Sequence, residues 1–111
     1  MSIAEKEVET MKVRIREHIR NNKVENRSPI AKPIICTDGF KVSVQASKHH
    51  YCSPREYDAE WASVELGFPS AADDLIQEYA ETPDEPTQTV YGYVPIDTVA
   101  RLIIKHGGFK E

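Results

Sequence analysis

Apolar residues recur at helical spacing through the first twenty positions of the chain. They follow one another at steps of four, three, four and four residues: Ala4, Val8, Met11, Ile15 and Ile19. Such spacing places all of these side chains on one face of an α-helix. Because Ser2 and Glu5 stand at the separation of a capping box, the pattern predicts a helix over residues 2–21. Met11, Val13 and Ile15 also alternate with charged residues, which leaves a strand as a competing interpretation.

The apolar stripe of this helix is narrow and its flanks are charged, as in helices that meet a single partner. We therefore expect a homodimer in which Val8, Met11, Ile15 and Ile19 form the seam between two copies. The alternative is a helix that lies across its own domain. The helix region takes up residues 1–22. The polar segment that follows contains two prolines and predicts a connector over 23–33, and a single domain is expected over 34–111.

Alternating apolar residues predict four strands in this domain. A hairpin joins strands over 34–37 and 40–46, because Asp38-Gly39 tolerates the positive φ angles of a tight turn. Two further strands are expected over 57–66 and 90–94. In the second strand, the side chains expected to point inward are Phe40, Val42, Val44 and Ala46. In the third strand, one face is expected to hold Ala62, Val64 and Leu66 and the other Trp61, Ser63 and Glu65. In the fourth strand, one face is expected to hold Val90 and Val94 and the other Tyr91 and Tyr93.

Two more helices complete the predicted order. Ser70 is expected to cap a short helix that runs to residue 80, with Asp73 in its first turn. Pro95 opens a last helix that Gly107-Gly108 terminates. The resulting order, α-β-β-β-α-β-α, implies an α+β fold: a small, mostly antiparallel sheet of about four strands with helices on one face. The buried stripe of the middle helix is expected to be Ala71, Leu75, Ile76, Tyr79 and Ala80.

Length and composition fit one domain of an ordinary globular protein. The chain has 111 residues, 40% hydrophobic and 29% charged, and none of its apolar runs approaches the roughly 20 residues that span a bilayer. Because the first ten residues lack the apolar stretch of a signal peptide, we expect a cytoplasmic protein. In that setting Cys36 and Cys52 are expected to be reduced thiols.

Charge is unevenly distributed along the chain. Net charge is -4, yet residues 1–33 carry eight Lys or Arg against five Asp or Glu. Between Arg55 and Arg101 there are eleven acidic residues and no basic one. Clustered carboxylates disfavour nucleic-acid binding by this region and favour binding of a basic protein partner. The alternative is that they only keep a small domain soluble. The sequence therefore predicts an acidic binding surface that includes Glu78, Glu81, Asp84 and Glu85.

Aromatic residues suggest a second part of this surface. Tyr91 and Tyr93 are expected on one strand face, with Tyr51, Tyr57 and Trp61 near them, and such residues dominate binding hot spots. We assign Trp61, Tyr91 and Tyr93 to the binding surface; the alternative is that the tyrosines lie beneath a helix.

One loop is rich in residues that can ligate metals or act as nucleophiles: KHHYCSPR, residues 48–55. The candidate ligands are His49, His50, Cys52 and His106, but their spacing is unlike the Cys-x2-Cys pairs of zinc sites. Cys52 and a neighbouring histidine could form a nucleophile pair, but the local sequence motifs of cysteine hydrolases are absent. Glycines fall at turns and caps rather than in a phosphate-binding loop. We therefore assign no catalytic residue, metal or cofactor.

Several segments resemble small uncharacterised proteins carried by bacteriophages and prophages: KVSVQAS at 41–47, HHYCSPR at 49–55, VYGYVP at 90–95 and KHGG at 105–108. The resemblance covers about residues 40–108 and leaves the first helix outside. It implies a bacterial or viral cytoplasmic setting and an accessory role, and it assigns no site residue.

Together these features favour a non-enzymatic interaction protein of phage type, self-associating and presenting its acidic half to a basic partner. One version is an inhibitor that imitates the charge of nucleic acid. The alternative is a small metal- or nucleic-acid-associated regulator that uses the His/Cys loop and the basic first helix.

Overall fold

The computed structural model of the protein describes residues 4–25 and 28–111. It is an α+β fold built on a four-stranded antiparallel sheet, as the sequence predicts. In chain order the elements are α1 (Glu5–Asn21), β1 (Ile34–Ile35), β2 (Lys41–Gln45), β3 (Ser63–Gly67), a 3₁₀ turn (Gln77–Tyr79), β4 (Val90–Pro95) and α2 (Ile96–Lys105). The strands lie in the order β1-β2-β3-β4, so every strand pairs with its neighbour in sequence.

The first helix packs on its own domain. α1 lies against α2, and its buried residues belong to the same core as the sheet. This corrects the expected dimer seam, because three of its four residues are covered inside the chain and only Met11 is partly exposed. The N-cap is Ala4, with no side-chain cap; the predicted capping residue Ser2 lies outside the described residues. The buried residues of α1 are Val8, Ile15 and Ile19.

One hydrophobic core joins both helices to the inner face of the sheet. The inward direction predicted for the second strand is confirmed, since Phe40, Val42, Val44 and Ala46 are all buried. β3 contributes Val64 and Leu66 to this core, and α2 contributes the residues of its apolar face. The buried residues of α2 are Ile96, Val99, Ala100, Leu102 and Ile103.

The opposite face of the sheet is polar and is partly covered by the segment predicted as a connector. The side-chain amide of Gln45 donates to the carbonyl oxygen of Ala31 and its Oε1 accepts from the Ala31 amide, each at 2.8 Å. Lys23 pairs with Ala31 as an isolated antiparallel bridge. The segment is therefore hydrogen-bonded to β2 and is not only a link between α1 and the sheet.

Glycines end both the predicted hairpin and the last helix. Gly39 has φ +95° in the turn between β1 and β2, which confirms the hairpin. After α2, the Gly108 amide donates to the carbonyl of Ile103 at 2.9 Å and the Gly107 amide to that of Ile104 at 3.0 Å. This pair of bonds is a Schellman motif, and it requires positive φ after the helix. Gly107, at φ +93°, meets that requirement.

A β-bulge changes which residues of β4 face the core. Val64 pairs with Val94 and Leu66 with Tyr91, so β4 holds one more residue than β3 over this stretch. Tyr93 takes φ +52° at the bulge. Strict alternation, which groups Tyr91 with Tyr93, is therefore wrong here: Tyr91 and Val94 are buried and Tyr93 is exposed.

Two predicted elements differ from the structure. β3 begins at Ser63 rather than near residue 57. Just before it, the carbonyl of Trp61 accepts hydrogen bonds from the side chain of Arg16 of α1 at 2.9 and 3.2 Å. The α-helix predicted after Ser70 is replaced by turns and the short 3₁₀ turn. The Asp73 carboxylate accepts from the Leu75 amide at 3.0 Å, a local bond that competes with helix formation.

Candidate interaction surfaces

Folding neutralises part of the acidic interval with the basic helix. Arg20 of α1 binds Asp58 at 2.7 Å and Glu60 at 2.8 Å, and Arg16 approaches Glu60 at 3.5 Å. The hydrogen bonds that Arg20 donates to these two carboxylates raise the pKa of Arg20. The guanidinium of Arg20 also lies 5.3 Å from the ring centroid of Trp61. These arginines therefore serve contacts inside the chain.

The far end of the acidic interval is also paired. Asp97 binds Arg101 at 2.9 Å and lies 4.0 Å from Lys12. Arg101 in turn approaches Glu5 of α1 at 3.5 Å. The positive charge that the sequence concentrates in α1 is thus largely matched by acids that the fold brings to it.

The middle of the interval, residues 74–85, is different. Within residues 4–25 and 28–111 its five carboxylates form no ion pair with Lys, Arg or His. All five belong to exposed residues: Asp74, Glu78, Glu81, Asp84 and Glu85. We call this segment the acidic segment. It contains the four acidic residues that the sequence assigns to a binding surface.

Hydrogen bonds fix the acidic segment against the edge of β4. Ala80 pairs with Tyr91 as an isolated antiparallel bridge, and the amide of Glu81 donates to the carbonyl of Val90 at 2.9 Å. The amide of Thr82 donates to the hydroxyl of Thr89 at 2.9 Å. The acidic side chains are therefore carried by a folded segment.

Two of the three predicted aromatic contacts are internal. Trp61 is fully buried and its indole N–H donates to the carbonyl of Glu56 at 3.2 Å. Tyr91 is fully buried too, and its hydroxyl donates to the carbonyl of Pro86. Both are corrected from binding residues to core residues. Tyr93 alone of the three reaches the surface, 48% exposed.

Tyr93 belongs to an exposed aromatic cluster with the loop that precedes β3. Its ring lies 6.0 Å from that of Tyr51, and its amide donates to the Tyr51 carbonyl at 3.0 Å. Arg55 lies 5.9 Å from the Tyr51 ring, and Lys48 lies 5.6 Å from the ring of Tyr57. These contacts form two groups, Tyr93 with Tyr51 and Arg55, and Tyr57 with Lys48. We call the five residues together the tyrosine cluster. The sequence placed Tyr51 and Tyr57 near the binding strand, but it could not show that the bulge would leave Tyr93 outside.

Each candidate metal ligand of the loop makes a hydrogen bond to a residue that is not a candidate ligand. His49 bonds to the Tyr57 hydroxyl at 2.6 Å, and His50 to the Ser47 hydroxyl at 2.7 Å. No cluster of three or more His, Cys, Asp or Glu residues suited to a metal ion occurs in the part of the chain that the structure describes. The Cys52 thiol is buried and donates to the Ser47 carbonyl at 3.2 Å. Burial raises the pKa of Cys52, which opposes a role as a nucleophile.

His106 instead bridges two carboxylates that come from separate turns. Its Nδ1 lies 2.7 Å from Asp38 and its Nε2 lies 2.9 Å from Asp73, while Phe40 stacks on the ring at 3.9 Å. Burial by itself lowers the pKa of His106, but its bonds to Asp38 and Asp73 raise it above the ordinary value of 6.5 overall. With both ring nitrogens occupied, the residue ties the hairpin turn to the end of α2. The sequence signal for this cluster is weak, since each residue is also typical of its own turn or helix end.

Comparisons with protein-family models, curated proteins and solved structures find no match to this chain. Within the described residues, neither helix has both the length and the apolar character needed to cross a membrane.

Proposed function

We propose that the protein is a non-catalytic interaction protein whose acidic segment contacts a basic protein partner. The observation that carries this proposal is the contrast in charge pairing. Acids at 58, 60 and 97 are matched by arginines of the chain, whereas the five acids of residues 74–85 have no such partner among the described residues. Unmatched carboxylates of one sign steer a partner of the opposite sign.

The organisation of the acidic segment supports binding as well as attraction. Because the segment is hydrogen-bonded to β4, less conformational entropy is lost when a partner orders it. Leu75 lies at the start of the segment and is 37% exposed, so an apolar contact is available beside the charges. A buried apolar anchor surrounded by polar contacts is the usual organisation of an interface.

A matched pair of triple variants tests the proposal. The first variant, Glu81→Gln, Asp84→Asn and Glu85→Gln, removes charge from the acidic segment. The control, Glu17→Gln, Glu25→Gln and Glu56→Gln, removes the same charge from exposed positions elsewhere. Affinity for a fluorescent short oligolysine peptide is measured by anisotropy between low and high salt.

We expect the first triple variant to weaken binding at low salt by about tenfold and to flatten its salt dependence, with little change in the control. Equal weakening in the two variants would show that only net charge matters and would contradict the proposal. If the partner normally holds nucleic acid, the protein should also compete with duplex DNA for it, which tests the version in which the acids imitate DNA.

Self-association is part of the proposal, but of the seam predicted from the sequence only Met11 is partly exposed and available for it. Val8, Ile15 and Ile19 have no exposed surface to offer a second copy. A phage-type, cytoplasmic setting is likewise proposed, and the sequence resemblance is its support.

The tyrosine cluster favours a second candidate function, binding of single-stranded nucleic acid. Tyr51, Tyr57 and Tyr93 are each about half exposed, and Lys48 and Arg55 lie beside two of the rings. Exposed rings with adjacent cations are the usual platform for base stacking. The metal and basic-helix parts of this alternative find no support, since the described residues hold no metal-suited group of three ligands and Arg16 and Arg20 are paired.

Fluorescence anisotropy with labelled single-stranded DNA separates the two functions. Nucleic-acid binding predicts that Tyr51→Ala with Tyr93→Ala weakens the interaction, whereas Phe68→Ala, another exposed aromatic residue, leaves it unchanged. If the wild-type protein binds no DNA at low salt, this second candidate fails, and the acidic-segment proposal is unaffected.

A further inference from the structure

A groove lies between α1 and α2 on the outer side of the helices, with a volume of about 530 Å³. Its apolar lining comes from Met11 and Ile104, which pack against the core while remaining partly exposed. The rest of the lining is charged or small. The full set is Ala4, Lys6, Glu7, Thr10, Met11, Arg14 and Ile104.

Charge along α1 changes sign near this groove. Residues 5–11 carry Glu5, Glu7 and Glu9 with a single lysine, whereas residues 12–21 carry one glutamate among their basic residues. Those basic residues are Lys12, Arg14, Arg16 and Arg20. Two antiparallel copies of such a helix place unlike charges opposite each other at both ends.

Glu7 and Arg14 are the residues that can use this complementarity within the groove. They are seven positions apart, about 10.5 Å along the helix axis, and share one face with Met11. Glu7 has no ion pair among the described residues. Arg14 binds Glu111 at 2.7 Å, but its side chain remains 46% exposed and its guanidinium has further donors.

We propose that a second copy of this chain occupies the groove, with α1 packed antiparallel on α1 of the partner. A two-fold axis passing between Thr10 and Met11 sets Glu7 of each copy against Arg14 of the other. An isologous contact of this kind needs a surface that complements itself, and Glu7 and Arg14 supply opposite charges at symmetric positions of the lining. The groove itself carries Lys6 and Arg14, so a basic partner is disfavoured there. The inference rests on the self-association in the proposed function and does not depend on the acidic segment.

Charge reversal with rescue tests the pairing. Glu7→Arg and Arg14→Glu each place like charges together at both symmetric contacts, whereas the double variant restores opposite charges with the positions exchanged. Glu9→Arg is the control, because it makes the same charge change on α1 at a residue that does not line the groove. Analytical ultracentrifugation over a concentration series gives the dimer dissociation constant for each protein.

We expect each single reversal to raise the dissociation constant at least about tenfold, and the double variant to return to within about threefold of wild type. Glu9→Arg should remain near wild type. Urea unfolding followed by Trp61 fluorescence confirms that each variant is folded.

A dimeric wild type that tolerates both single reversals would overturn this geometry while leaving self-association intact. A wild type that stays monomeric throughout the concentration series would overturn both. Neither outcome bears on the acidic segment, whose oligolysine test uses different residues.

Discussion

Removing the charge of Asp73 should destabilise the protein in a pH-dependent way. The Asp73 side chain is 3% exposed and accepts hydrogen bonds from the amide of Leu75, from His106 at 2.9 Å and from Lys105 at 3.1 Å. Burial raises the pKa of Asp73, but these hydrogen bonds outweigh it and lower the pKa below its usual value. Asp73→Asn keeps an acceptor for the Leu75 amide and removes the charge that holds the two cations.

The loss near pH 6 should be about 3 kcal/mol, the cost of removing one partner from a largely buried ion pair. In a domain of this size that corresponds to a fall in Tm of roughly 12 °C. Lys105 contributes little of this total, because its side chain is half exposed and solvent screens the pair. Most of the effect is therefore assigned to His106.

The dependence on pH follows from the direction of the His106 shift. Its pKa is raised in the folded protein, so the imidazolium contributes stability that is complete below the ordinary value of 6.5 and is lost as pH rises through the folded pKa. The pKa values of Asp38 and Asp73 are lowered, so their contribution is lost only as pH falls through those folded values, in the acid range. The cluster is most stabilising between these limits.

Urea unfolding from pH 5.5 to 9, followed by the fluorescence of the single buried tryptophan, measures the effect. The difference between wild type and Asp73→Asn should be largest at the acid end and should fall by half or more at pH 9. Asp74→Asn, one position along and exposed, is the control and should change stability by less than about 0.5 kcal/mol. A wild-type minus Asp73→Asn difference that is constant over this range would show that His106 is not held as an imidazolium.

Three other substitutions or treatments test the packing. Gly107→Ala should lower the free energy of unfolding measured in urea by about 2–3 kcal/mol, because residue 107 has positive φ and the new Cβ would lie only 2.9 Å from the Cβ of Thr37. Gly108→Ala, at φ +82° with open space around it, should lower it by about 1 kcal/mol. Gln45→Leu should lower the free energy of unfolding by about 3 kcal/mol in the same assay, since it leaves the buried amide and carbonyl of Ala31 without hydrogen bonds. Cys36, buried and with its pKa raised to about 11, should react with a disulfide reagent far more slowly in native protein than in urea.

Periodicity and turn chemistry predicted the architecture because those signals are local. The Asp38-Gly39 hairpin and the glycine end of α2 each depend on φ angles that few residues adopt. The element after Ser70 was predicted wrongly because long-range bonds add to the local bond between Asp73 and the Leu75 amide. Ser70 and Asp73 are helix-capping residues by type, yet the first bonds to Lys41 at the start of β2 and the second to His106 beyond α2.

The candidate site was less predictable than the fold, since exposure depends on tertiary structure. One extra residue in β4 is enough to turn Tyr91 inward and Tyr93 outward. The acidic interval looks uniform in sequence, but α1 reaches Asp58 and Glu60 and leaves the acidic segment unmatched. Gly92 inside the predicted strand is only a weak signal of a bulge, and the apolar spacing of α1 fits docking on its own domain as well as a dimer seam.

A dimer formed through the α1/α2 groove would display two acidic segments, and this predicts a difference between short and long basic ligands. A long polylysine chain can contact both segments, so its second contact is intramolecular and binding strengthens by avidity, whereas a short oligolysine peptide contacts only one. Glu7→Arg should therefore weaken binding of the long chain by about tenfold more than Glu9→Arg, which carries the same charge change without disrupting the groove. The two variants should bind the short peptide alike. Equal behaviour toward both ligands in a protein shown to be dimeric would mean that the two acidic segments cannot be engaged together.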